Sequence, residues 1–265
     1  MRQAALRIGM ITPSSNTVLE PVTSALTRDL ADVSVHFTRL RVTRISLDPQ
    51  DTDQFGQDAF VQAAQLLADA RVDVIAWHGT SGSWLGPGYD RQVCRAVEGA
   101  TGIRATTATL ALLAALEHCG TERLGLLTPY TDDIGGAIAG HYAARGFPVH
   151  AAHHFGRTTN YDFALTTDGE LDTAFDTLAA RGCDTVAVVC TNLRAAHLAE
   201  RWEQRRPVTV VDSVAATLWQ ALRHAGGATP VEGYGRLLAD APPGAPAPAG
   251  PRYPHATPDA HHTQT

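Results

Sequence analysis

Two stretches of this 265-residue chain occur twice. Arg7-Ile8-Gly9-Met10-Ile11-Thr12-Pro13-Ser14 returns as Arg123-Leu124-Gly125-Leu126-Leu127-Thr128-Pro129-Tyr130, and Asp73-Val74-Ile75-Ala76-Trp77-His78-Gly79-Thr80 returns as Asp184-Thr185-Val186-Ala187-Val188-Val189-Cys190-Thr191. A third, weaker match pairs Thr107-Ala108-Thr109 through Leu116 with Ser213-Val214-Ala215 through Leu222. The partners lie 116, 111 and 106 residues apart, so order is kept while loops shorten. Repeats of this length mark duplicated domains, not the shorter periods of a solenoid. Two similar halves should therefore face each other across a cleft. One pair breaks the symmetry, with Gly79 in the first half and Cys190 in the second.

Short β-branched or aliphatic runs alternate with longer helical patterns, which predicts an α/β fold built on parallel sheets. Strands are expected at Arg7–Ile11, Val33–Arg39, Val72–Trp77, Ile103–Ala105, Arg123–Leu127, Val149–His153, Thr185–Val189 and Val208–Val211. Helices are expected at Val18–Leu30, Gln54–Ala70, Arg91–Glu98, Ala108–His118, Ile134–Arg145, Glu170–Arg181, Leu193–Gln204 and Val214–His224. The repeat divides the chain into a first lobe, residues 1–108 with the returning segment 213–238, and a second lobe, residues 109–212. Seven of the fifteen prolines lie beyond Asp240, among Ala, Gly and His and without apolar periodicity, so residues 239–265 are expected to form a disordered tail. His255, His261 and His262 in that tail are weak metal candidates, and no metal site is expected.

A net charge of −6 with scattered arginines gives no basic field for nucleic acid. No apolar run reaches membrane-spanning length, and the start of the chain lacks the pattern of a signal peptide, which points to the cytoplasm. Cys94, Cys119, Cys183 and Cys190 show no CxxC spacing, so four thiols are expected rather than a zinc site or disulfides. The oligomeric state is left open, a homo-oligomer included.

In parallel sheets, ligands bind where strand ends lead into helices. Here those loops are Thr12–Thr17, His78–Ser83, Thr128–Thr131 and Cys190–Asn192, and they should converge on one cleft. Ser14, Asn16, Gly79, Thr80, Ser81, Tyr130, Cys190 and Thr191 would line it with hydroxyls, amides and a thiol, which suits an anionic ligand. Some have simpler readings, since Thr17, Asn192 and Asp132 can each be a helix cap. A lone cysteine is most often a small buried hydrophobe, and that is the reading for Cys94, Cys119 and Cys183. Cys190 differs because it closes an apolar strand and precedes an expected helix, whose N-terminus would favour a thiolate. Four glycines between Gly79 and Gly88 form no GxGxxG or Walker pattern, which leaves a nucleotide site weakly supported. His78 is read as a hydrogen-bonded structural histidine, with a catalytic role as the alternative. Trp77 is read as core rather than pocket wall, and Trp84, Leu85, Gly86, Pro87 and Tyr89 as a specificity loop.

Thr12-Pro13-Ser14-Ser15-Asn16-Thr17, Gly79-Thr80-Ser81, Thr128-Pro129-Tyr130 and Cys190-Thr191-Asn192, in this order and duplicated, resemble the aspartate/glutamate racemase superfamily. The resemblance is to its branch of maleate cis-trans isomerases and arylmalonate decarboxylases, over about Arg7 to Leu222. It implies a cofactor-independent enzyme of two Rossmann-like lobes related by a pseudo-twofold axis, with the carboxylates of a small dicarboxylate held between them. It implies carboxylate binding by Asn16, Tyr130 and Asn160, and a dioxyanion hole at Thr80, Ser81, Tyr130 and the Cys190 backbone. Racemases and maleate isomerases of this kind carry one cysteine in each lobe, whereas decarboxylases share the Gly-Thr-Ser found here. Racemisation needs an acid and a base on opposite faces of a carbon, but decarboxylation followed by protonation needs one proton donor. The expected enzyme is therefore arylmalonate-decarboxylase-like, with Cys190 protonating an enediolate. The alternatives are maleate isomerisation through a Cys190 thiolate, Asp/Glu-type racemisation, or a dicarboxylate-binding protein without catalysis.

Overall fold

The computed structural model describes residues 6–48, 53–86, 88–227 and 230–240. The first repeat unit builds strands β1 (Leu6–Pro13), β2 (Val33–Leu40), β3 (Val74–Trp77) and β4 (Ala105–Thr107). The second builds β5 (Leu124–Thr128), β6 (Val149–His154), β7 (Thr185–Val188) and β8 (Thr209–Asp212). Each set forms a four-stranded parallel sheet, in the order β2-β1-β3-β4 and β6-β5-β7-β8, so the sequence duplication is a duplication of topology. β3 and β7 are buried along their whole length, which is the environment that their uninterrupted apolar runs demand in a sheet covered on both faces.

The repeated polar residues do the same work twice. Asp73 accepts the Arg7 backbone N–H at 2.7 Å, and Asp184 accepts that of Arg123 at 2.8 Å, so one carboxylate fixes the start of the leading strand in each lobe. Gly125 lets Cys183 pack directly on β5, where an added Cβ would stand 3.0 Å from its sulfur. The buried Cys183 and Cys94 thus behave as small hydrophobes, as the sequence reading has them.

The helix at Ala108–His118 has the bounds predicted for it, capped by the Thr107 hydroxyl on the Leu110 N–H. Its repeat partner, Ser213–His224, is capped by Asp212 on the N–H groups of Val214 and Ala215. These two helices pack on each other, and Ser213–His224 also rests on β3, β4 and the Leu19–Leu26 helix. The Thr106 hydroxyl donates to Gln220 at 3.1 Å across this join. The Arg236–Ala239 helix lies against β8 and receives the Glu203 carboxylate at the Arg236 N–H.

One expected helix is corrected. The stretch read as Leu193–Gln204 opens as a turn at Cys190–Leu193, passes through a 3-10 turn at Ala196–Leu198 and becomes helical only at Ala199–Arg205. Leu193, Ala195 and Ala196 are buried by tertiary packing, so the apolar spacing that looked helical reflects burial of a loop. Short helices at Gly82–Leu85 and Asn160–Phe163 carry too few residues to show a period. The expected disordered tail beyond Asp240, with its three histidines, and Pro87 of the specificity loop lie outside the described residues.

The helix Asp168–Ala180 opens with a reciprocal box, Thr167 accepting the Glu170 N–H while the Glu170 carboxylate accepts the Thr167 N–H. Thr167→Ala should cost about 1 kcal/mol, read as a lower urea midpoint at unchanged slope. Among the described residues no helix is long and apolar enough to cross a membrane.

Candidate active site

The loops at the carboxyl ends of β1, β3, β5 and β7 meet between the two lobes, joined by a chain of short polar contacts. Asn16 donates through Nδ2 to the Thr191 hydroxyl at 3.1 Å, and Thr191 donates to the His78 carbonyl at 3.1 Å. Asn192 accepts the backbone N–H groups of Thr17 and Val18 and donates to the Asn160 carbonyl at 2.6 Å. Asn160 in turn donates to the Ser15 hydroxyl at 2.8 Å. Asn192 therefore does not cap the helix that follows it, as the simple reading has it, but ties down the turn that leads into the Leu19–Leu26 helix of the other lobe. Thr17 does not cap; Asn16 accepts from Val18 and Leu19 instead, both at 2.9 Å. Ser14 is spent on Val42, accepting its N–H at 3.1 Å and facing its carbonyl at 3.3 Å.

Hydroxyls and a thiol form a second cluster beside this one. The Thr80 and Tyr130 hydroxyls, one from each lobe, are 2.9 Å apart and buried. Tyr130 also faces the Cys190 thiol, as a donor that favours the thiolate. The Tyr130 ring is held edge-on between Trp84, at 5.1 Å, and Phe163, at 5.4 Å, which fixes where its hydroxyl points. The Cys190 sulfur accepts the Asn192 N–H at 3.4 Å.

Expectation and structure part over the charge on Cys190. A helix N-terminus was to favour the thiolate, but the chain turns away before a helix forms. Burial pushes the thiol up to about 11, against the opposing hydrogen bonds from Tyr130 and the Asn192 and Leu193 backbones. At neutral pH the thiol is then the prevailing form. Cys94 and Cys119 are raised as well, so what separates Cys190 is its polar company. Alkylation of Cys190 by iodoacetamide, followed by peptide mass spectrometry, should therefore keep rising towards about pH 11; a plateau below pH 8 would contradict the neutral thiol.

Opposite Cys190 in the repeat, no side chain from residue 78 or 81 takes the place that Gly79 leaves. The His78 ring is fully buried against the Met10 sulfur, 3.0 Å from Nδ1, with the Val214 backbone nearby. Burial lowers its pKa to about 3, so it stays neutral, and its contribution to the cluster is the carbonyl that receives Thr191. Ser81 accepts the Trp77 indole N–H at 2.9 Å. A Cβ built on Gly79 would run into the Trp77 six-membered ring, at Cζ2, Cε2 and Cη2.

Two further groups were not singled out from sequence. Arg39 donates to the carbonyls of Ser14 and Asn16 at 2.8 and 3.2 Å and pairs with Glu20 at 2.9 Å, holding the loop after β1 in shape. Its only sequence signal was a cation at the end of a strand next to that loop. Asp212, fully buried, has its pKa raised to about 7 by desolvation and adds to the rise at Cys190. Among the described residues no group of three or more His, Cys, Asp or Glu could hold a metal ion.

Comparison with known proteins places the chain in a family. The family model described as arylmalonate decarboxylase matches residues 8–238. The arylmalonate decarboxylase of Bordetella bronchiseptica is 30% identical over 194 residues, which is 69% of this chain and 80% of that protein. Among solved structures, a liganded arylmalonate decarboxylase variant with one glycine-to-cysteine and one cysteine-to-serine exchange superposes with a TM-score of 0.79 at 26% identity, covering 88% of this chain and 98% of that one. A maleate isomerase variant from Pseudomonas putida, crystallised with maleate, superposes with a TM-score of 0.81 at 22% identity, covering 88% and 97%, and so shares the two-lobed fold.

Proposed function

The chain belongs to the arylmalonate decarboxylase family, and we propose that it is a cofactor-independent decarboxylase of small malonate-type dicarboxylates, with Cys190 as its single proton donor. The observation that carries this reading is the asymmetry of the repeat. A neutral thiol stands beside Tyr130 in one lobe, and the matching position in the other is a glycine with an indole over it. Two-thiol racemisation lacks its second partner, and addition of a thiolate to a double bond would start from the rarer form of Cys190.

In the proposed reaction one carboxylate lies against Thr80, Ser81 and Tyr130, with Ser14, Asn16, Gly79, Asn160, Thr191 and the His78 carbonyl shaping the cleft. The other carboxylate leaves as carbon dioxide, its bonding pair passing into an enediolate. Hydroxyl donors aimed at the developing charge stabilise it, each worth about 3 to 4 kcal/mol when well placed. Cys190 S–H then protonates the carbon, the S–H pair stays on sulfur, and the thiolate recovers a proton from water. Trp84 and Leu85 offer apolar surface for the departing carboxylate. We assign the substrate cleft to the boundary between residues 1–108 with 213–238 and residues 109–212. The unpaired thiols and negative net charge support action in the cytoplasm on a small molecule, without nucleic acid or membrane.

Incubation with arylmalonates, maleate and amino diacids in heavy water, followed by NMR, tests this. Release of carbon dioxide with one deuterium placed on one face is expected. Fumarate would indicate the isomerase, exchange without net conversion a racemase, and saturable shifts without turnover a binding protein.

A further inference from the structure

The repeat allows each residue of the site to be compared with its own counterpart across the pseudo-twofold axis. Tyr130 matches Ser14, Cys190 matches Gly79, and Val188 matches Trp77. The second lobe therefore puts its bulk and its functional groups at the strand ends, as Tyr and Cys, over a small Val. The first lobe reverses this, with Ser and Gly at the strand ends and the chain's bulk in Trp77. Trp77 and Gly79 are two residues apart in extended chain and so share a side of it. The indole uses that geometry to fold over Gly79, with its six-membered ring standing in the space of the absent side chain.

Trp77 is firmly seated there. Its ring meets Phe60 edge-on at 4.9 Å and Phe55 at 6.5 Å, and its N–H is held by Ser81 Oγ at 2.9 Å. The indole thereby turns its one acidic hydrogen away to Ser81 and leaves ring carbons over Gly79. We infer that the Trp77 indole is an aprotic wall on the substrate face opposite Cys190, and that it fixes the hand of the product. This rests on the decarboxylase reading above. Protonation of the enediolate breaks the Cys190 S–H bond and forms a C–H bond on one face. On the other face the same bond would need a proton from water, releasing hydroxide, and the indole denies water that approach. Trp77 is thus a specificity-determining residue, a role that its place in a strand did not suggest.

Trp77→Phe removes the six-membered ring over Gly79 while keeping an aromatic face for Phe60, and Trp77→Leu removes more. With α-methyl-α-phenylmalonate as probe and chiral chromatography of the acid formed, the parent should give one enantiomer in large excess. Both variants should lower that ratio by at least about tenfold, with carbon dioxide still released. A racemic product from the parent, or an unchanged ratio in both variants, overturns the inference. Thermal unfolding tests the steric part without turnover. Gly79→Ala should lower the midpoint in the parent and lower it less in the Trp77→Phe background, and equal losses in the two backgrounds would overturn the inference as well. Absence of carbon dioxide release from the parent instead defeats the decarboxylase reading, while the unfolding cycle still decides whether the indole occupies the place opposite Cys190.

Discussion

Cys190→Ala is expected to lower kcat for arylmalonate decarboxylation by about 10²- to 10⁴-fold, the usual contribution of a positioned proton donor. KM should change little, because the groups proposed to hold the carboxylate lie on Thr80, Ser81 and Tyr130. Cys190 is buried, and removing its one sulfur leaves only a small cavity, so the variant should stay folded. Cys190→Ser should be nearly as slow, since a hydroxyl is a much weaker acid than a thiol. Residual product from either variant should keep its one-sided deuterium, the proton then coming from water on the Cys190 side, because the Trp77 indole still covers the other face. Steady-state kinetics with NMR of the product in heavy water checks all three statements. Turnover by Cys190→Ala at the parent's rate would remove Cys190 from the mechanism.

Tyr130→Phe should lower kcat by about 10²- to 10³-fold, as loss of one oxyanion donor does elsewhere. The ring would remain between Trp84 and Phe163, so only the hydroxyl is tested. That hydroxyl lies 2.9 Å from Thr80 Oγ1 and also meets the Cys190 thiol. Its loss leaves the buried Thr80 hydroxyl without this partner, at a cost of about 1 to 3 kcal/mol in stability. A second effect separates a site role from a structural one. The Tyr130 hydrogen bond favours the Cys190 thiolate and pulls the thiol down from where burial alone would set it. Without Tyr130 the thiol rises further, so the alkylation curve of Cys190 should move to higher pH. A curve that stays in place while kcat falls would mean that Tyr130 acts on substrate alone.

Much of this molecule could be read along the chain. Duplicated aliphatic runs become the central strands of the two sheets, and the helix at Ala108–His118 has its predicted bounds. Hydrophobic period and strand-end polarity are local properties, and both survive folding intact. The stretch after Cys190 was misread because burial of Leu193, Ala195 and Ala196 imitates a helical face, while Asn192 is engaged by Thr17, Val18 and Asn160 from distant parts of the chain. Arg39 went unnoticed for the same reason, since the carbonyls that it serves are set by the Ser14–Thr17 turn.

The sequence by itself determined that there are two related lobes, that their strand-end loops share one cleft, and that Cys190 and Gly79 form an unequal pair. Those conclusions need only order and residue type. The tertiary structure alone decided that Cys190 is a neutral thiol and that an indole fills the space over Gly79. The first depends on how completely water is excluded, and the second on the direction that a side chain two residues away takes when Phe60 and Ser81 hold it. Desolvation and side-chain direction arise only once remote segments are packed together, which is why the chain could name the mismatch but not what occupies it.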